Sequence, residues 1–214
     1  MLNILYMLYL LKYSKDYLFS LLPLIYNAIK TENKYFIFFV AAIIIFLIKF
    51  HRKYKEPIKT FDKSIITASS FGVVNKITED EQNYIITAFL SPIDIHIQYF
   101  PFDGKIIEQM HKHGRFVPAY VFKKTKYNER FQHTIQTEYG IIKIMQIAGI
   151  LVRKIIPFYK INDQVKRQDE LGLITFGSRV DMFIPKKNTQ LLVKKNQKLY
   201  GPNTPVAKWT NIKD

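Results

Sequence analysis

The 214-residue chain contains no cysteine, which excludes disulfides, thiolate nucleophiles and zinc sites of the cysteine type. Any metal chemistry would rest on its five histidines and its carboxylates. Acidic residues are scarce, 17 against 32 lysines and arginines, and the net charge of +15 points to an anionic partner. Nucleic acid and acidic lipid both qualify. There is no phosphate-binding glycine-rich loop, no Gly-x-Ser-x-Gly elbow and no His-Glu-x-x-His. Basic residues are spread along the chain without a motif that interleaves them with aromatics, so no nucleic-acid partner is expected. His111 and His113 stand two apart and in a strand could clip a metal. With Lys112 between them and no third ligand evident, a solvated turn is preferred and no metal is expected.

What is abundant is apolar surface: hydrophobic residues make up 48% and aromatics 15% of the chain, which excludes wholesale disorder. Tyr35 to Ile48 carries no charge, and Phe50 follows after Lys49. A soluble helix keeps a polar face and this stretch has none, so a membrane anchor is expected here, slightly short of the roughly 20 residues of an ideal span. Upstream, Met1 to Leu11 and Tyr17 to Ile29 are also apolar, divided by Lys12, Lys15 and Asp16 and interrupted at Pro23. A first membrane segment or a helix lying in the interface would fit them. Lys49, His51, Arg52, Lys53, Lys55 and Lys59 form a basic flank suited to an anionic membrane surface, and the positive-inside rule puts the C-terminal part on the cytoplasmic face.

Beyond Pro57 the periodicity changes. Ser64 to Ile77, Tyr84 to Leu90, Ile93 to Gln98, Lys105 to Gln109, Ile141 to Ile147, Gly172 to Phe176 and Val180 to Ile184 are short runs rich in Ile, Val, Phe and Tyr, punctuated by Gly and Pro. They predict a mainly β (α+β) domain at residues 57–214, antiparallel and barrel- or sandwich-like, behind a 1–56 anchoring segment with one or two membrane helices. A helix fits only Ile150 to Tyr159, limited by Pro157.

A set of short blocks follows in fixed order: Ser91-Pro92-Ile93-Asp94-Ile95-His96, Pro101-Phe102-Asp103-Gly104-Lys105-Ile106, Gly114-Arg115-Phe116 with Ala119, Asn128-Glu129-Arg130, and Thr137-Glu138-Tyr139-Gly140. Then come Gln146-Ile147-Ala148-Gly149, Leu171-Gly172-Leu173-Ile174, and Phe176-Gly177-Ser178-Arg179-Val180-Asp181 closing at Pro185. Together, from about Ser64 to about Lys208, they resemble the phosphatidylserine decarboxylases, in particular the short form with N-terminal membrane segments.

The resemblance implies a proenzyme that cuts itself at Gly177-Ser178. The Ser178 hydroxyl attacks the preceding carbonyl, the ester eliminates to dehydroalanine, and hydrolysis leaves a pyruvoyl group on Ser178. Large and small chains of one precursor result. Glycine suits the step because it tolerates strain and leaves its carbonyl open. The pyruvoyl carbonyl would form a Schiff base with phosphatidylserine and accept electrons as carbon dioxide leaves, giving phosphatidylethanolamine. His96 matches the family histidine after Ser-Pro-x-Asp and is the expected proton donor, since an imidazole titrates near working pH. Asp94, on the same strand face, could orient the ring or cap the turn after Pro92. Arg130 could pair with a phosphate or carboxylate, or form a structural ion pair with Glu129. A homodimer is a further implication of the resemblance.

Two departures stand out. Many relatives carry Ser-Pro-Ala-Asp-Gly where this chain reads Ala68-Ser69-Ser70-Phe71-Gly72, so Phe71 replaces an aspartate that supports self-cleavage. Some long bacterial relatives have a second histidine where Tyr99 stands. The alternative expectation is therefore a cleavage-deficient, decarboxylase-like protein that binds membrane lipid.

Overall fold

The computed structural model describes residues 19–114, 127–149, 155–174 and 179–211. The chain separates into two compact units, Met1–Lys53 and Tyr54–Asp214.

In the first unit, α1 runs through residues 19–31 and α2 through Lys34–Phe50. Glu32, with φ of 51°, turns the chain between them, and the Asn33 side chain caps α2 by accepting from the N–H groups of Tyr35 and Phe36. Among the described helical residues the buried apolar ones form narrow seams, Leu21 and Ala28 on α1 and Val40, Leu47 and Phe50 on α2, spaced three or seven residues apart and so on one helix face. Phe19, Tyr26, Tyr35 and Phe38 are exposed. The sequence predicts a membrane-crossing anchor here, and the structure does not supply one: among the described residues no helix is long and apolar enough to cross a membrane. The 17 residues of α2 span about 25 Å at 1.5 Å each, short of a hydrocarbon core of about 30 Å.

The second unit is built from β1 (Ile65–Thr67), β2 (Phe71–Glu79), β3 (Asn83–Phe89), β4 (Ile97–Tyr99), β5 (Gly104–Lys112), β6 (Arg130–Gln136) and β7 (Ile141–Ile147). It continues through β8 (Ile155–Pro157), β9 (Gln164–Val165), β10 (Glu170–Ile174), β11 (Arg179–Pro185), β12 (Thr189–Leu191), β13 (Lys198–Tyr200) and β14 (Pro205–Trp209). The mainly β reading holds: an eight-stranded antiparallel sheet, ordered β13-β2-β3-β11-β7-β6-β5-β9, curls into a half-barrel. Two three-stranded sheets, β1-β14-β12 and β4-β10-β8, accompany it.

Period-two alternation decides what the large sheet buries. Along β11, Val180, Met182 and Ile184 enter the core with Ile86, Ile142, Ile144 and Trp209, while Arg179, Asp181 and Phe183 take the other face. Gly72, at φ of +121°, is required where β2 meets β3, because a Cβ there would lie 2.2 Å from the Phe89 carbonyl oxygen.

The helix expected at 150–159 is corrected over its described part. Ile155–Pro157 is a strand, with Ile156 opposite Leu173 and Pro157 opposite Gly172. β8 lies at the edge of its sheet, where proline's missing N–H leaves no ladder bond unmade. Residues 150–154 lie outside the described residues.

Candidate active site

Gly177 and Ser178 lie outside the described residues, together with Thr175 and Phe176, but both ends of that four-residue segment are fixed. Ile174 ends β10 in the small β4-β10-β8 sheet, and Arg179 begins β11 in the large sheet. The segment expected to be cut therefore joins a strand of the small sheet to a strand of the large one.

On the upstream side stands His96. Its carbonyl accepts the Ile174 N–H at 3.2 Å, which ties it to the last described residue before the crossing. The side chain is buried, and Nδ1 lies 2.8 Å from the Asp94 carbonyl oxygen. A carbonyl only accepts, so Nδ1 carries the hydrogen in this contact. The same His96 carbonyl accepts from Gln98 Nε2 at 2.6 Å, and Gln146 Nε2 donates to Gln98 Oε1 at 2.8 Å. This buried chain links β4 to β7 of the large sheet, and Gly172 leaves room for it: a Cβ there would come within 3.2 Å of Gln146 Nε2.

Asp94 takes the second of its two expected roles. Its carboxylate accepts the Ser91 N–H at 2.9 Å, capping the turn after Pro92, and lies 3.4 Å from Lys198 Nζ. The imidazole is held by the backbone of Asp94, not by its carboxylate.

On the downstream side, one face of five neighbouring strands lines a cavity of about 400 Å³. Register explains the lining. Arg130 pairs with Ile147, which pairs with Arg179. Met145, Asp181, Thr87 and Lys76 form the next row, and Phe183, Ile85 and Thr78 a third. Arg179 grips Asp181 with two nitrogens, Nε at 2.8 Å and Nη2 at 2.5 Å, and the Asp181 side chain is only 5% exposed. Lys76, Arg130 and Arg179 thus bring three cations to a face with one buried carboxylate. Arg179, Asp181 and Lys76 were not singled out from the sequence. The signal was the alternation of β11, which puts residues 179 and 181 on one face next to Ser178.

Glu129 and Arg130 part company, as consecutive residues at a strand start must. Arg130 enters the cavity, whereas Glu129 is buried elsewhere, 2.6 Å from His111 Nε2. Phe71 sits in an aromatic nest, its ring 5.1 Å from that of Tyr54 and 6.2 Å from that of Tyr99. Gly201, with φ of +56°, accommodates it: a Cβ there would lie 2.3 Å from the Phe71 ring. Burial pushes the Tyr99 hydroxyl up from its ordinary pKa, with the Glu170 charge adding to the effect, so Tyr99 is a neutral phenol at working pH.

Residues 46–207 match the family model described as phosphatidylserine decarboxylase. The phosphatidylserine decarboxylase proenzyme of Carboxydothermus hydrogenoformans is 31% identical, covering 79% of this chain and 82% of its own. That of Porphyromonas gingivalis is 34% identical, over 79% and 81% respectively. A putative archaetidylserine decarboxylase proenzyme of Methanothermobacter thermautotrophicus is 37% identical over 66% of this chain and 63% of its own.

Proposed function

The chain belongs to the phosphatidylserine decarboxylase family, and on that premise we propose that it is a proenzyme that cuts itself between Gly177 and Ser178 and then converts phosphatidylserine to phosphatidylethanolamine. The observation that supports this reading is the bond from Ile174 to His96, which keeps a buried imidazole beside the strand end that leads into the cleavage dipeptide.

The residues present fit a pyruvoyl group derived from Ser178. Such a group would directly precede Arg179, the first residue of β11, whose own side chain lines the cationic cavity. When present, it supplies an electrophilic carbonyl that draws electrons from the substrate as carbon dioxide leaves. His96 holds the exchangeable proton at Nε2 for the substrate carbon, its ring aimed by the Asp94 carbonyl. Arg130 and Lys76 attract the anionic groups of the substrate, and Arg179 is kept in place by Asp181. Leu171, Leu173 and Ile174, all fully buried, exclude water from the His96 flank.

In this reading the N-terminal unit holds the enzyme at an anionic membrane. Its exposed rings, Phe19 at 67% and Phe38 at 76%, support contact with lipid, and Lys49, Arg52 and Lys53 carry the matching charge. The catalytic unit then faces the cytoplasm, and assembly as a homodimer belongs to the same reading.

The deciding experiment is denaturing electrophoresis with mass spectrometry of the purified full chain. The reading expects a Ser178–Asp214 fragment with a blocked, carbonyl-bearing start that disappears in Ser178→Ala. A fragment that survives in that variant refutes the assignment. One observation favours a second reading, a cleavage-deficient lipid-binding protein: the place of the family aspartate is filled by the Phe71 ring, which can neither orient a histidine nor hold a proton. Intact chain after purification, with vesicle binding indifferent to Ser178→Ala, would favour it.

A further inference from the structure

At the end of β5, three ligating side chains converge that the proposed decarboxylation does not use. His111 and His113 are two residues apart, so they fall on the same side of the strand as it ends. The pairing of Lys112 with Arg130 sets the neighbouring Glu129 beside them. The Glu129 side chain is 8% exposed and points one carboxylate oxygen at each ring: Oε1 is 2.6 Å from His111 Nε2, and Oε2 is 3.5 Å from His113 Nδ1. All three ligand atoms lie within 4.8 Å of one another.

The backbone is shaped for this approach. Gly114 follows His113, and a Cβ on it would lie 2.2 Å from the Tyr127 carbonyl oxygen and 2.6 Å from the Glu129 nitrogen, so only glycine lets the two chain segments run so close. Its N–H donates to Glu129 Oε2 at 3.2 Å and so orients the carboxylate from behind, as outer partners of metal ligands do. A single ionic or hydrogen-bonded pair would explain one histidine; it leaves the second histidine and the glycine-permitted approach unexplained.

We propose that His111, His113 and Glu129 form a site for a divalent transition-metal ion of the zinc class. Two imidazoles and a carboxylate suit zinc, cobalt or nickel better than magnesium or calcium, which take oxygen ligands. His113 is 84% exposed, so the fourth position of a tetrahedral ion opens to water. Zinc bound there staples the end of β5 to the start of β6, one residue before Arg130 enters the cavity. Its role is to brace that strand junction, and it takes no part in the carbon chemistry.

The test uses the full chain, purified without a histidine tag and stripped with chelator, then titrated with zinc or cobalt. One ion per chain should remain after desalting. Cobalt should show the intense visible bands of a four-coordinate ion, and zinc should raise the thermal midpoint. His113→Ala, at an exposed position that leaves the metal-free midpoint unchanged, should weaken retention at least about tenfold. Lys112→Ala should retain the metal as the parent does. Failure of the parent chain to retain any ion, or equal retention by His113→Ala, would overturn the site and leave an ordinary histidine–carboxylate cluster. Neither result bears on whether Ser178 is cut.

Discussion

The two flanks of residues 175–178 are made of different material. Upstream, β10 arrives through Leu171, Leu173 and Ile174, all fully buried, and its neighbour His96 is fixed by main-chain groups. Downstream, β11 leaves with Arg179 and Asp181 on a face shared with Arg130 and Lys76. The first flank is rigid and dry; the second is charged and opens on a cavity. A reaction that expels carbon dioxide from an anionic phospholipid is served by both, one to hold a proton away from bulk water and one to receive anionic groups. The proposed cleavage dipeptide lies in the segment that joins these two strands.

Each flank can be broken separately. The largest effect is expected upstream: His96→Ala should still yield the Ser178–Asp214 fragment but lose about 10²- to 10⁴-fold in carbon dioxide release. Unchanged turnover would remove His96 from the chemistry and erase the distinction. Downstream, Asp181→Asn should lower stability by about 3–5 kcal/mol, because it leaves Arg179 without the carboxylate it grips in a largely buried pair. Urea unfolding measures this, and a loss under about 1 kcal/mol would show that the pair is solvated.

The dryness of the β4 side can be read from pH. His133 is fully buried and stacks edge-on against Phe100, the residue after β4. Burial lowers its pKa from 6.5 to about 4. The unfolded chain then binds the proton first, so stability is intact above pH 6.5 and falls as pH drops from 6.5 toward 4. The loss should be about 3 kcal/mol, at about 1.4 kcal/mol per pH unit. His133→Gln should flatten that part of the pH–stability curve, and an unaltered curve would assign it to other groups. The smallest effect is expected for Arg130→Ala, a rise of about tenfold in KM with kcat little changed, since one cation among three is lost. A matching fall in kcat instead would place Arg130 at the reacting atoms.

Strands with alternating or continuous apolar runs were legible: Ile141 to Ile147 is β7, and Val180 to Ile184 lies within β11. Arg130–Gln136 was not, because Arg-Phe-Gln-His-Thr-Ile-Gln is too polar to read as a strand until β5 and β7 hold it on either side. Ile155–Pro157 misled for the opposite reason: its apolar residues suit helix and strand alike, and only pairing with β10 decides. The apolar run in α2 showed that the segment is apolar all round. How many residues stay helical is set by the Asn33 cap at one end and His51 at the other.

Local chemistry was written into the chain itself. Ser-Pro-x-Asp-x-His, the Gly-Ser dipeptide and the lack of cysteine narrow the candidate reactive groups to a few named residues, because bond-making depends on residue type and near neighbours. Which groups meet was decided only by strand register. A shift of one residue between β5 and β6 would carry Glu129 away from both histidines, and the same slip between β7 and β11 would turn Arg179 and Asp181 out of the cavity. Arg179 and Ile147, like His111 and Glu129, are far apart in sequence, and their alignment comes from burying the whole sheet face at once.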